Sequence, residues 1–207
     1  MIFITSPNNP TGRIISADLL SCIADKCLKK GCILVADECF MDFSKNSDRY
    51  SIKNAMNENV IILKAFTKIY AMAGIRLGYA VCGDKTTAEK ISQNGQYWSV
   101  SAVAQQCGIA ALREKEYVRK SVEMITAERR YLENELENLG FKVYHSFANY
   151  ILFRTDIKIY EYLLDKGILI RKCGNYRELS DNYYRIAVRT HSENLELIST
   201  MEKCIYG

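Results

Sequence analysis

The stretch Lys64-Ala65-Phe66-Thr67-Lys68-Ile69-Tyr70-Ala71-Met72-Ala73-Gly74-Ile75-Arg76-Leu77-Gly78 decides how this chain is read. It follows the apolar run Val60-Ile61-Ile62-Leu63, sets the hydroxyl of Thr67 beside Lys68, and places Arg76 eight residues further on. An amine can form a Schiff base with an aldehyde. A hydroxyl and a guanidinium can hold a phosphate, the guanidinium as a charged fork. Taken singly, Lys68 would be a solvated surface charge, Thr67 a strand-packing residue and Arg76 half of a surface ion pair. Their joint spacing beyond one strand points to a cofactor carrying both an aldehyde and a phosphate.

Two upstream segments extend the pattern. Ser6-Pro7-Asn8-Asn9-Pro10-Thr11-Gly12 is a turn by composition, since Asn, Pro and Gly are turn formers. Val35-Ala36-Asp37-Glu38-Cys39-Phe40 ends an apolar run on a carboxylate, which is costly to bury unless paired. A protonated ring nitrogen would pair with Asp37 and remain a strong electron sink. A helix cap or a salt bridge is the structural alternative, and Glu38 receives no role.

The first half of the chain alternates strand and helix. Met1 to Thr5 reads as a strand, and Ser16 caps a helix reaching about Lys30, with Leu19, Leu20, Ile23, Ala24 and Cys27 on one face and Gly31 as the stop. Cys32–Ala36, Val60–Leu63 and Leu77–Cys82 read as further strands. Strands separated by helices predict an α/β fold with a mostly parallel sheet, whose function gathers at strand carboxyl ends. Asn9, Asp37 and Lys68 each follow a strand in that way.

A long helix is expected from about Ser101 to Leu139, with Arg129, Arg130, Glu133, Glu135 and Glu137 on a solvated face and Gly140 as its end. Beyond it, Phe141–Tyr144, Tyr150–Arg154, Ile168–Arg171 and Tyr184–Val188 read as strands. Helices near Ile157–Lys166 and Ser192–Ile205 sit among them, which makes a smaller α+β unit.

The 207 residues are 48% hydrophobic and 25% charged, an ordinary globular composition. A net charge of +4 without a basic run does not imply nucleic acid. No apolar run approaches the ~20 residues of a membrane span. The eight cysteines are irregularly spaced, and only His145 and His191 accompany them, so a metal site is not expected. Cys32, Cys39 and Cys82 lie in apolar runs as small hydrophobes, consistent with a reducing cytoplasm.

In this order, the three segments resemble the pyridoxal 5'-phosphate (PLP) enzymes of the class I/II aminotransferase family, fold type I. The resemblance implies PLP as cofactor, with Lys68 as the Schiff-base lysine that also carries the substrate Cα proton. It implies that Thr67 and Arg76 bind the cofactor phosphate, that Asp37 pairs with the ring nitrogen, and that Asn9 donates to the phenolic oxygen. Arg185 falls where the family binds the substrate carboxylate, and Arg171 where phosphate-handling subgroups hold a phosphorylated side chain; Arg189 is a further candidate. Residues 1–110 would be the C-terminal part of the PLP-binding large domain, and 111–207 the small C-terminal domain. The implied partners are a small amino acid or phosphorylated amine substrate and a second copy of the chain, as a homodimer.

Three details resemble one subgroup. Phe40 stands where many members, histidinol-phosphate aminotransferases among them, carry a tyrosine, and Asp42-Phe43 follows it. Tyr97-Trp98-Ser99-Val100-Ser101-Ala102 is similar to a loop of the threonine-phosphate decarboxylases of cobalamin biosynthesis. So is the segment from Ile170-Arg171-Lys172-Cys173-Gly174-Asn175-Tyr176 through Arg185-Ile186-Ala187-Val188-Arg189-Thr190. The leading expectation is an L-threonine O-3-phosphate decarboxylase-like protein, and the alternative a histidinol-phosphate-type or other class I/II aminotransferase. No motif states which Cα bond stands perpendicular to the ring, and that angle separates the two reactions. The family's first strands, its glycine-containing phosphate loop and its ring-stacking aromatic have no counterpart here. The chain therefore reads as an N-terminally truncated fragment, and a non-catalytic remnant is the competing expectation.

Overall fold

The sequence folds, in a computed structural model that describes residues 1–207, into two compact units. The first comprises Met1–Pro7 and Ile14–Val122, and the second Asn8–Arg13 and Glu123–Gly207.

In the first unit, β1 (Ile2–Thr5), β2 (Leu34–Asp37) and β3 (Val60–Ala65) lie side by side and parallel. Helix α1 (Ala17–Lys29) connects β1 to β2. Its N-cap is Ser16, whose side chain accepts the Leu19 N–H. Its C-terminus is a Schellman turn: Gly31 N–H donates to the Leu28 carbonyl (3.1 Å) and Cys32 N–H to that of Cys27 (2.8 Å). Gly31 sits at φ +58°, a conformation that costs any residue with a Cβ. Leu20, Ala24 and Cys27 of α1 pack on Leu34, Ala36, Val60 and Ile62 with Ile52, while Leu19 is exposed. The short helix α2 (Ser47–Tyr50) lies between β2 and β3.

The fourth strand, β4 (Gly78–Cys82), pairs antiparallel to β3, so the sheet is mixed. The four-residue helix α3 (Phe66–Ile69) and a 3-10 turn at Ala73–Ile75 separate the two strands. The chain folds back through these turns and β4 returns beside β3. Ala65 and Gly78 face each other at the mouth of this fold-back.

Helix α4 (Lys85–Gln93) follows β4. The single long helix expected over 101–139 is two helices, α5 (Ala102–Ala111) and α6 (Lys115–Asn138). Leu112-Arg113-Glu114 between them contains no glycine or proline, and all three favour helix. Propensity therefore carries no trace of the break.

In the second unit, β5 (Lys142–Tyr144), β6 (Tyr150–Arg154), β7 (Arg171–Lys172) and β8 (Tyr183–Ala187) form an antiparallel sheet of order β5-β6-β8-β7. Helices α7 (Ile159–Asp165) and α8 (His191–Tyr206) accompany it. The strand expected at Ile168–Arg171 shrinks to Arg171–Lys172. The reason lies in α7: Ile168 N–H is spent on the Leu163 carbonyl (2.8 Å) in the turn that closes this helix at Gly167.

The solvated face expected on α6 is corrected at Arg129 and Glu133, while Arg130 and Glu137 are exposed as expected. Ile125, Arg129, Leu132, Glu133 and Leu136 form its buried stripe. Arg129 donates to the Ala148 carbonyl (3.0 Å), and Glu133 accepts the Ser146 N–H (2.9 Å) and faces His145 Nδ1 (3.1 Å). Two charges at helical spacing thus serve as inward anchors for the loop before β6, where their long stems are buried and their heads are bonded.

Candidate cofactor and substrate residues

The first unit carries Asp37, Thr67, Lys68 and Arg76. Asp37 is the last residue of β2 and is half-buried. Its Oδ1 accepts the Cys39 N–H (3.0 Å), a local turn that leaves the second oxygen open to a donor. The neighbouring Cys39 thiol is pushed up to about 12, by burial first and then by the Asp37 carboxylate. Cys39 therefore stays a neutral thiol.

Thr67 and Lys68 lie together on α3, directly beyond β3. Lys68 is exposed, forms no ion pair, and holds its Nζ 5.9 Å from the centre of the Phe40 ring. Arg76 sits in the left-handed region at φ 58°, just before β4. One guanidinium N–H donates to the Ala73 carbonyl (3.1 Å), which leaves most of the fork unspent. An ammonium without a carboxylate, a guanidinium with free donors and a half-open carboxylate make a donor set that fits a phosphate-bearing ring with a basic nitrogen.

Glu38, which the sequence left without a role, is the anchor of this region. It is 1% exposed, whereas Asp37 beside it is half-buried. It accepts from Ile52 N–H (2.7 Å) and Ser51 Oγ (2.8 Å), with Lys64 Nζ at 3.4 Å. Lys64 also reaches Asp42 at 2.8 Å. Burial pulls the Lys64 ammonium down, but Asp42 and Glu38 outweigh it and the net shift is upward. The turn after β2, which carries Asp37, is thus tied down from within by an ion-pair network.

The second unit carries Asn9, Arg171 and Arg185. Asn9 Oδ1 accepts from Arg185 Nη1 (2.5 Å) and from Tyr176 Oη (3.3 Å). Arg185 lies over the Tyr150 ring, 5.1 Å from its centre, and Tyr150 Oη donates to the Asn8 carbonyl (2.9 Å). The turn is held from below as well: Phe147 N–H donates to the Gly12 carbonyl (2.8 Å). Asn9 and Arg185, far apart in sequence, are therefore direct partners. Tyr150 and Tyr176 were not singled out by any motif, because a tyrosine in an apolar strand or a polar loop carries no spacing signal.

Arg171 is the register partner of Arg185 across β7 and β8, so both leave the same face of the sheet. Arg171 is exposed and spends one N–H on Asn175 Oδ1 (3.3 Å). Like charges directly opposite each other destabilise a strand pair, unless an anion lies between them. Arg189 is engaged elsewhere, by Glu193 in the first turn of α8.

Comparison with known proteins gives the family. The profile of the aminotransferase class I and II family matches residues 1–201. Threonine-phosphate decarboxylase of Salmonella typhimurium is 33% identical over 100% of this chain and 58% of its own length. Histidinol-phosphate aminotransferase of Methanosarcina mazei is 34% identical over 98% of this chain and 54% of its own. The crystal structure of histidinol-phosphate aminotransferase from Clostridium acetobutylicum superimposes with a TM-score of 0.92 at 29% identity, covering 97% of this chain and 62% of that one. The chain thus spans a little over half the length of the curated relatives it matches, and within that span it belongs to the aminotransferase class I and II family.

Proposed function

We propose that this chain is the part of a PLP-dependent enzyme that holds the cofactor through Lys68 and acts on a small phosphorylated amino acid or amine. The cross-strand pair Arg171 and Arg185 carries the substrate half of this reading: two guanidiniums on one face suit a substrate with two anionic ends, a carboxylate and a phosphate. The open donors of Thr67 and Arg76 and the open oxygen of Asp37 support the cofactor half.

When bound, PLP supplies an electron sink for the charge that develops at the substrate Cα. The residues of the chain do the rest. Thr67 and Arg76 hold the phosphate. Asp37 would keep a proton on the ring nitrogen, and Asn9, whose carbonyl oxygen is occupied by Arg185 and Tyr176, would have its amide N–H to offer the phenolic oxygen. Lys68 would hold the cofactor through its aldehyde carbon, and its amine would hold or deliver a proton at the substrate Cα. Arg185 orients the carboxylate, and Arg171 the phosphate, which together set the Cα bond that breaks.

The leading reaction is decarboxylation of L-threonine O-3-phosphate. The bond from Cα to the carboxylate breaks, carbon dioxide leaves, and a proton from Lys68 replaces it. Phe40 at a position where a tyrosine would add a second donor to the phenolic oxygen supports this reading, as does the Salmonella relative matched along the whole chain. Transamination of histidinol phosphate is the second reading, supported by the Methanosarcina relative and the Clostridium structure. A homodimer in the cytoplasm completes the proposal.

The test is a visible absorption spectrum of the purified chain with PLP, then borohydride reduction and mapping of the labelled lysine. The expected result is a visible band lost in Lys68→Ala and a label on Lys68 alone. Label scattered over surface lysines, with no band, overturns the reading for this chain. Carbon dioxide release from threonine phosphate, against 2-oxoglutarate-dependent turnover of histidinol phosphate, separates the two reactions.

A further inference from the structure

The Schellman turn that ends α1 has cysteines at both of its contact positions. Cys27 is the residue whose carbonyl accepts the final bond, and Cys32 is the residue that donates it, at 2.8 Å. With standard backbone dimensions, a bond of that length keeps the two Cα atoms within about 6.7 Å. Bridging requires Cα atoms no more than about 7 Å apart and converging Cβ vectors. These are the two positions that a hydrophobic contact frequently joins across the end of such a helix. Burial, and next the Cys32 thiol itself, push the Cys27 thiol upward, as expected for two thiols that face one another. Both are free, Cys27 buried and Cys32 half-buried.

We propose that Cys27 and Cys32 form a reversible disulfide, made by exchange with a low-molecular-weight disulfide, which clips the C-terminus of α1 to the start of β2. The half-buried Cys32 is the entry point. Its thiolate attacks one sulfur of the small disulfide, whose S–S bond breaks and releases one thiol. Cys27 then attacks the Cys32 sulfur of the mixed disulfide and expels the second thiol. The two cysteines lose two electrons together, the small disulfide gains them, and the two cysteine protons end on the two released thiols. Neither cysteine belongs to the proposed cofactor residues, so the clip stands or falls separately from the proposed function.

The experiment incubates the reduced chain with excess glutathione disulfide under native conditions, alkylates the remaining thiols and digests with trypsin. Cleavage at Lys29 and Lys30 separates the two cysteines, so a disulfide keeps peptide Cys27–Lys29 attached to Gly31–Lys45. Because the second peptide also contains Cys39, fragmentation must place the bond on Cys32. The expected result is that linked pair, reversed by dithiothreitol, abolished in Cys32→Ser and retained in Cys22→Ser. Recovery of Cys27 alkylated, a stable glutathione adduct on Cys32, or a Cys27 bond to any other cysteine overturns the proposal.

Discussion

Replacing Glu38 tests the argument that the turn after β2 is anchored from inside. Its carboxylate is 1% exposed and satisfies Ile52 N–H at 2.7 Å, Ser51 Oγ at 2.8 Å and Lys64 at 3.4 Å. In Glu38→Ala the Ile52 N–H loses its acceptor in a dry site, worth about 1–3 kcal/mol. Lys64 keeps Asp42 but loses its other counter-charge, and breaking a buried pair from one side costs about 3–5 kcal/mol in total. The expected loss is therefore about 3–5 kcal/mol. Glu38→Gln keeps an acceptor for Ile52 and should lose only about 1–2 kcal/mol. Adding Lys64→Met to Glu38→Ala removes the ammonium that has lost one of its two counter-charges, so the double variant should be more stable than the sum of the singles requires. Urea unfolding by circular dichroism, with hydrogen exchange at the Ile52 amide as the local probe, reads these differences. A Glu38→Ala variant within about 1 kcal/mol of the parent, or strict additivity with Lys64→Met, would refute the anchoring role.

Three further predictions concern the second unit. Gly12→Ala would put a Cβ 1.9 Å from Ser146 Oγ at φ +67°, so it should destabilise the unit by at least about 1–3 kcal/mol and displace the Asn9 turn; thermal unfolding should show this, with partial rescue by Ser146→Gly. Arg171→Gln relieves a like-charge pair across β7 and β8, so without an anion it should raise stability by about 0.2–1 kcal/mol, while the melting-temperature increase produced by inorganic phosphate should shrink. Glu193 is held down to about 2 by its bonds to Arg189 and then to Thr190. A depressed carboxyl stabilises the fold fully above its unfolded value near ~4.3 and loses that contribution as pH falls toward the folded one. Carboxyl NMR should therefore find Glu193 ionised at pH 3, and Glu193→Gln should flatten the acid limb of the stability curve between those two values.

Much of this protein is local and was readable as such. The Ser16 cap, the Gly31 stop and strands β2, β3 and β6 follow from residue type and period alone, because a cap or a buried run is decided by neighbours a few positions away. The order of the three motifs sufficed for the family, since the chemistry of a Schiff-base lysine next to phosphate donors is written in residue types. The candidate residues were named from the same pattern, yet nothing in their spacing said that Asn9 and Arg185 would bond directly, or that Arg171 would stand opposite Arg185.

What tertiary structure decided were the places where local rules are silent or outvoted. β4 runs antiparallel to β3, a direction that the alternation of strands and helices in the sequence does not state. The break between α5 and α6 falls in good helix formers. Arg129 and Glu133 read as solvent-facing by charge but point inward, because unpaired backbone groups near Ser146 and Ala148 need partners in a dry interior. Glu38 is the same case: only the arrival of Ser51, Ile52 and Lys64 around it makes burying a carboxylate favourable. Sequence alone determines which groups are available for chemistry; which of them meet depends on the tertiary fold and on the hydrogen bonds that burial demands.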